Sequence, residues 1–303
     1  MGESIFLADG RSADDGPLAT ARSPQPAGER FTPTEHARGP WDPQALHGGA
    51  PAALMTAAFE GIEPGAELPI ARLGFDLLRP IPFAPLSMST RIVRPGRRVQ
   101  ELAGELHCDG QLVLRASALR VREVPQGLPG VAPAPDARGD PPAERPREEG
   151  PGPESAADAG TPMPGPRAGK PVRFALDDAD RASFAASAME MRWVSDPGEL
   201  GPAQVWMRLR HPLLADRELT PLARLAATAD FGNGISAMLA FERFIFINAD
   251  LTIHLQRPPR GEWIGLDART LLQGGGTGLA ESVLHDVHGP VGRAFQTLVV
   301  EAR

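Results

Sequence analysis

The chain holds one cysteine, no tyrosine, few lysines and no apolar run long enough to cross a bilayer. A single cysteine, Cys108, leaves no internal disulfide and no multi-cysteine metal site. Without about 18 consecutive apolar residues, no transmembrane helix is expected. Basic residues are outnumbered, with 31 Lys and Arg against 38 Asp and Glu, a formal net charge of −7 and a pI near 5.6. The basic footprint that general nucleic-acid binding needs is therefore missing. The first residues, MGESIFLADGRSADDG, lack a basic region followed by a long apolar one, so no secretory signal is expected. Phe6 stands where a myristoylation signal has Ser or Thr. The expectation is a soluble protein of a reducing compartment, the cytoplasm.

What the chain has in quantity is proline and glycine, 33 of each in 303 residues. They are unevenly spread. Residues 125–171 contain 13 of the prolines and eight glycines, mixed with alanine and charges of both signs. Almost nothing there can be buried, so 125–172 reads as a disordered linker. Residues 1–30 read as a partly flexible tail with one apolar patch, Ile5 to Leu7. The folded segments are then expected at 31–124 and 173–303, the second starting near Phe174.

In the first segment, Phe31 to Trp41 reads as a strand ending in a turn. The small residues of HGGAPAALMTAAFEG follow, with Pro51 in the first turn of a tightly packed helix. Strands are expected at Arg72–Arg79, Leu86–Val93, Gln100–His107 and Gln111–Val121, the last two joined by an Asp109–Gly110 hairpin turn. In the second segment, Arg181–Ala188 reads as a short helix or loop, before strands at Ala188–Val194 and Ala203–Arg210. Thr220 and Pro221 form an N-cap and first turn for the helix PLARLAATADFGNG. Strands Phe244–Arg257, Trp263–Leu272, Thr277–His285 and Val291–Val300 complete it. Trp41, Trp193, Trp206 and Trp263 read as core or interface residues. His285 and His288 flank the Asp286 turn without a third ligand nearby, and read as solvated.

The two segments repeat each other at an offset of 178 residues. Leu73-Gly-Phe75-Asp-Leu77-Leu-Arg79-Pro80 falls on Leu251-Thr-Ile253-His-Leu255-Gln-Arg257-Pro258. Arg91 meets Arg269, Gly96 meets Gly274, Leu106-His107 meets Leu284-His285, and Arg115-Ala116 meets Arg293-Ala294. Each copy is one helix followed by long strands with hairpin connections, which points to an antiparallel sheet carrying the helix on its concave face. The copies differ at three polar positions: Asp230 falls on Ala52, Asn248 on Ile70 and Gln296 on Ala118. A buried Asp on an apolar helix is costly unless paired or used. Since the equivalent helix manages with alanine, Asp230 is not demanded by the fold. Two readings stay open: a structural acid, capped or ion-paired, and a catalytic one.

The stretches ALHGGAPAALM, LAATADFGNG, INADLTIHLQRPP and GRAFQTLVVEAR, in this order, resemble the acyl-CoA thioesterase II family, the TesB-like thioesterases. The resemblance covers about 31–123 and 174–303. It implies an α+β double hotdog fold, two tandem units with joined sheets. It also implies hydrolysis of acyl-CoA to free acid and CoA with no metal and no organic cofactor. In that family an Asp, a Thr or similar residue and a Gln hold the attacking water. These positions fall on Asp230, Asn248 and Gln296, with Asn248 departing from Thr and Gln256 standing where the family often has His.

The chemistry of the residues agrees. No Gly-x-Ser-x-Gly elbow occurs, so a serine nucleophile is not indicated, and Cys108 in a hairpin turn is a poor place for a catalytic thiol. A water oriented by Asp230 is the simpler choice, with the amide oxygens of Asn248 and Gln296 fixing it. Gly232 and Gly234 permit close approach of a substrate carbonyl to backbone N–H groups, and His47 stands at the start of the first helix as a candidate for the acyl or CoA pocket. Arg79 and Arg257 read as structural. The alternative is a non-catalytic hotdog protein that binds acyl-CoA or a protein partner. A dehydratase, with His47 as its histidine, lacks the Asn-Pro pair expected after it. A double unit can stand as a monomer, and a homo-oligomer is compatible with it.

Overall fold

The structure, a computed structural model, describes residues 3–11, 28–63, 68–123, 163–172 and 182–303. Helix α1 (Gly49–Glu60) is followed by strands β3 (Ile70–Leu77), β4 (Leu86–Arg94), β5 (Val99–Cys108) and β6 (Gln111–Val121). The second half gives α2 (Pro221–Ala229), α3 (Gly232–Ile235), β10 (Phe244–Asn248), β11 (Asp250–Leu255), β12 (Ile264–Gln273), β13 (Thr277–Asp286) and β14 (Gly289–Ala302). Outside these lie β1 (Phe6–Arg11) and β2 (Glu29–Pro33) before α1, and β7 (Lys170–Pro171), β8 (Met189–Trp193) and β9 (Ala203–Leu209) before α2.

All fourteen strands form one antiparallel sheet in the order β1-β2-β4-β5-β6-β3-β11-β14-β13-β12-β9-β8-β7, with β10 paired to β14. The repeat read from the sequence is the repeat of the sheet. Leu86 and Ile264, Val99 and Thr277, Gln111 and Gly289 each begin matching strands 178 residues apart. The halves join where β3 pairs with β11, and Gly74 lies opposite Thr252, again 178 residues on. An approximate twofold axis therefore passes between these two residues. Beside it Phe75 faces Leu251 and Leu73 faces Ile253, all four buried, and each fully buried large apolar side chain contributes about 1.5–3 kcal/mol.

The helices lie together on the core side. α1 is buried from Gly49 to Thr56 and again at Phe59, as expected of a helix apolar all round. Its small residues let it press against α2: a β-carbon on Gly49 would sit 2.4 Å from the Ala227 carbonyl oxygen. The Asp109–Gly110 turn is the expected tight hairpin, with φ of 47° and 78° at its two residues.

Several expectations need correction. Part of the expected N-terminal tail is built into the core, with Ile5 and Phe6 at 0 % exposure and their amides donating to the carbonyls of Pro212 and Leu213. The expected linker 125–172 is not disordered at its end. Trp206 Nε1 donates to the Pro164 carbonyl at 2.6 Å, and β7 pairs with β8 as an edge strand. Prolines are tolerated there because an edge strand has a free side. The rest of that stretch, with Phe174 and Arg181, lies outside the described residues. Residues 244–257 form two strands, since Ala249 breaks the run and donates to the Thr297 carbonyl. His285 is buried, not solvated: near the end of β13 it lies opposite Gly265, on the face that Trp206 and Met163 cover. There burial holds its imidazole below the ordinary value, against the nearby charges of Asp267 and Asp286.

Candidate active site

Thr220 caps α2 through its side-chain oxygen, which accepts from the Ala223 amide, and Pro221 fills the first turn. The helix is shorter than its sequence suggests. It stops at Ala229, Asp230 is its C-terminal cap, and the chain restarts as α3 at Gly232. Asp230 thus sits at a break between two helices and not within one. The break lies in the interior, where Asp230 is 6 % exposed.

The three polar positions singled out by the repeat converge. Asn248 Nδ2 donates to Asp230 Oδ1 at 2.8 Å, and Gln296 Nε2 lies 3.1 Å from the Asp230 carbonyl oxygen and 3.4 Å from Oδ1. β10 delivers Asn248 and β14 delivers Gln296, which is 1 % exposed on the inward face it shares with Leu298. The amide oxygens, which the sequence reading assigned to fixing a water, are turned from Asp230 and accept from Asn233. A backbone N–H can only donate, and the Asn233 amide meets Gln296 Oε1 at 2.9 Å. That fixes Nε2 towards Asp230. Asn233 Nδ2 likewise donates to Asn248 Oδ1. Asn233 therefore orients both amides, and its own Oδ1 is buried without a hydrogen-bond partner among the described residues.

The first half contributes the fourth group. His47 Nδ1 is 3.1 Å from Asp230 Oδ2. The same nitrogen is 3.1 Å from the Gly49 amide. An sp² ring nitrogen has room for one in-plane partner: carrying a proton it serves Asp230, without one it accepts from Gly49. The ring stacks on Phe231 at 4.3 Å and meets Phe184 at 5.0 Å, and the two phenyl rings lie 5.9 Å from each other. Its main-chain N–H donates to the Ala37 carbonyl. Close packing favours glycine against the carboxylate and against its Gln296 partner. A β-carbon on Gly48 would lie 2.8 Å from Asp230 Oδ2, and one on Gly232 would lie 2.8 Å from Gln296 Oε1.

Of the residues expected at the site, Asp230, Asn248, Gln296 and His47 meet, with Gly232 packed beside Gln296. Gly234 lies on α3, half-buried. Sequence reasoning missed Asn233, Gly48, Phe184 and Phe231. The first two sat inside quoted stretches, GNG and HGG, where glycine drew the attention. The ring contacts come from elements far apart in the chain and leave no local signal.

Residues 37–121 match the family described as "Acyl-CoA thioesterase N-terminal domain", and residues 153–300 match "Acyl-CoA thioesterase C-terminal domain". The chain belongs to the acyl-CoA thioesterase family. It is a thioester hydrolase, and its sheet has the hotdog fold. Among solved structures it is similar to an acyl-CoA thioesterase II, TesB2, from Mycobacterium marinum, with 17 % identity over 86 % of this chain and 90 % of that one, and a TM-score of 0.54. It is also similar to a conserved protein of unknown function with hot dog fold from Alicyclobacillus acidocaldarius, with 17 % identity over 92 % and 95 % of the two chains, and a TM-score of 0.61. No curated protein matches the chain. Among the described residues of this thioesterase, no helix is long and apolar enough to cross a membrane.

Proposed function

We propose that the thioesterase is a double hotdog, with units 31–124 and 173–303, and that it hydrolyses acyl-CoA at one site on the seam between them. β1 and residues 163–172 extend the sheet at its two outer edges. Asp230 takes the proton of a water as that water attacks the thioester carbonyl carbon. The carbon–sulfur bond then breaks, giving the free acid and the CoA thiol. Asn248 and Gln296 steady the carboxylate through their N–H groups, and His47 shares the proton on Oδ2. The carbonyl oxygen of the substrate lies at the first turn of α1, where the Gly49 N–H is released when a protonated His47 Nδ1 turns to Asp230.

The observation that carries this reading is the asymmetry of the repeat. One half gathers Asp230, Asn248 and Gln296, and borrows His47 from the other. The equivalent positions Ala52, Ile70 and Ala118 are buried and apolar. A panel of acyl-CoAs with a free-thiol readout tests it. Asp230→Asn is expected to lower kcat/KM by about a hundredfold or more. Undiminished hydrolysis in that variant would sink the mechanism, and stabilisation by acyl-CoA without thiol release would favour a binding protein.

A further inference from the structure

The half without the acid is not the other half stripped of polar groups. It has gained its own. Arg120 stands where the second half has Leu298, Gln100 where it has Gly278, and Glu60 where it has Met238. Arg120 is 1 % exposed and Leu298 0 %, so the fold accepts leucine here and does not require a charge.

Arg120 is poorly served for a buried cation. Nη1 donates to Gln100 Oε1 at 3.0 Å and Nη2 to the Phe59 carbonyl at 2.5 Å, both neutral acceptors, while Nε has no hydrogen-bond partner among the described residues. Glu60 and Glu63 act on it only through their charge at a distance, and Glu60 is taken up by Thr220, whose hydroxyl donates to Oε2 at 2.5 Å. A guanidinium held in the interior without a directly bonded anion is unfavourable. With Glu60 it stands on the wall of a cavity of about 310 Å³ that is otherwise lined by apolar side chains, among them Ile70, Leu222, Leu255 and Pro258. Ile70 is the counterpart of Asn248, while Ala52 and Ala118 do not line the cavity, which therefore lies beside the place that a second site would take.

We infer that the cavity binds an organic monocarboxylate, its oxygens accepting from Arg120 and its short apolar chain lying on Ile70, Leu222 and Leu255. The volume is at the small end of the roughly 300–1,000 Å³ of ligand pockets, which suits a short chain. Burial raises the Glu60 carboxyl above its ordinary value, against the Thr220 hydrogen bond and the Arg120 charge. The inference does not depend on the mechanism at Asp230.

Calorimetric titration of the whole chain with octanoate, octanol and inorganic phosphate tests it. Octanoate is expected to bind about tenfold or more tightly than either of the others, a preference that charge-assisted hydrogen bonds and apolar burial supply together. Arg120→Leu, which copies Leu298, should reduce octanoate to the level of octanol while unliganded circular dichroism and Tm show the fold retained. Leu222→Trp, which fills the cavity from another element, should abolish octanoate binding and covers the case in which Arg120→Leu does not fold. Octanoate no better than octanol, phosphate as good as octanoate, or octanoate affinity unchanged in either variant would overturn the inference.

Discussion

Gly48 and Asp230, from opposite halves of the chain, are so close that a β-carbon on the glycine would lie 2.8 Å from Oδ2 and 3.2 Å from Oδ1. The backbone of Gly48 is ordinary, with φ −57° and ψ −29°, so alanine suits the conformation and only the contact forbids it. Gly48→Ala is expected to push the carboxylate off His47 and Asn248. A displacement of about 1 Å at a reacting group costs about a hundredfold, so kcat/KM should fall by that order with Tm little changed. Full activity would show that Asp230 need not hold this position.

Asn233 is the common partner of the two amides that serve Asp230, yet its side chain does not bond the carboxylate. Asn233→Ala keeps the backbone N–H on Gln296 and removes the hydrogen bond that orients Asn248. A buried hydrogen-bonding group left unpaired costs about 1–3 kcal/mol. The expected result is a kcat lower by roughly tenfold to a hundredfold with KM nearly unchanged, because a partner of the base is lost and no substrate contact. Asn248→Thr should keep activity, since a hydroxyl can accept from Asn233 while donating to Asp230. Steady-state kinetics on both variants decides it.

Much of this was legible in the sequence because a duplicated chain supplies its own control. The 178-residue offset gave the strands of both halves, and at three positions it separated what the fold needs from what it does not. Asp230, Asn248 and Gln296 stood out for that reason and do meet. The offset could not show Asn233 or His47 as their partners, since one comes from a neighbouring turn and the other from across the seam. Nor could it show the break after Ala229, because two glycines near a helix end mark a weak point without saying where the chain turns. The edge segments 3–11 and 163–172 were missed for a different reason. Proline and glycine content argues against burial on average, whereas a few contacts such as Trp206 with Pro164 are enough to dock a short strap at a sheet edge.

The repeat also predicts what a carboxylate would do in the other half. Ala52, Ile70 and Ala118 are 2 %, 7 % and 0 % exposed, and none can donate a side-chain hydrogen bond. Ala52→Asp therefore buries an acid without the partners that Asp230 has. A charge left unpaired in the interior costs about 3–5 kcal/mol, so urea unfolding at neutral pH should show a loss of that order. Introduced together with Asp230→Asn, Ala52→Asp should restore no hydrolysis. Recovery of activity in that double variant would mean that the cleft, and not the set of partners, makes the site.

Arg257, which precedes a proline at the end of β11, pairs with Asp286 and so has a structural partner. Its Nη1 and Nη2 donate to Oδ2 and Oδ1 at 2.6 Å each, while the Arg260 and His288 amides donate to the same carboxylate. Burial pushes the Asp286 carboxyl up, but these hydrogen bonds and the Arg257 charge outweigh it and hold the group below its ordinary value. A depressed carboxylate stabilises the fold above its unfolded pKa of about 3.9, and that stabilisation is lost as pH falls below it. His285, held low by burial, acts earlier: the unfolded chain takes up its proton below about pH 6.5 while the folded one resists. Asp286→Asn should therefore cost about 2–3 kcal/mol at neutral pH. That is less than the roughly 3–5 kcal/mol of breaking a fully buried pair, because the Arg257 side chain remains 20 % exposed. The difference between variant and parent should hold down to about pH 5 and shrink towards about pH 3. Urea unfolding across that range reads both limbs, and a difference that stays constant with pH would show that the ion pair does not set the acid limit of stability.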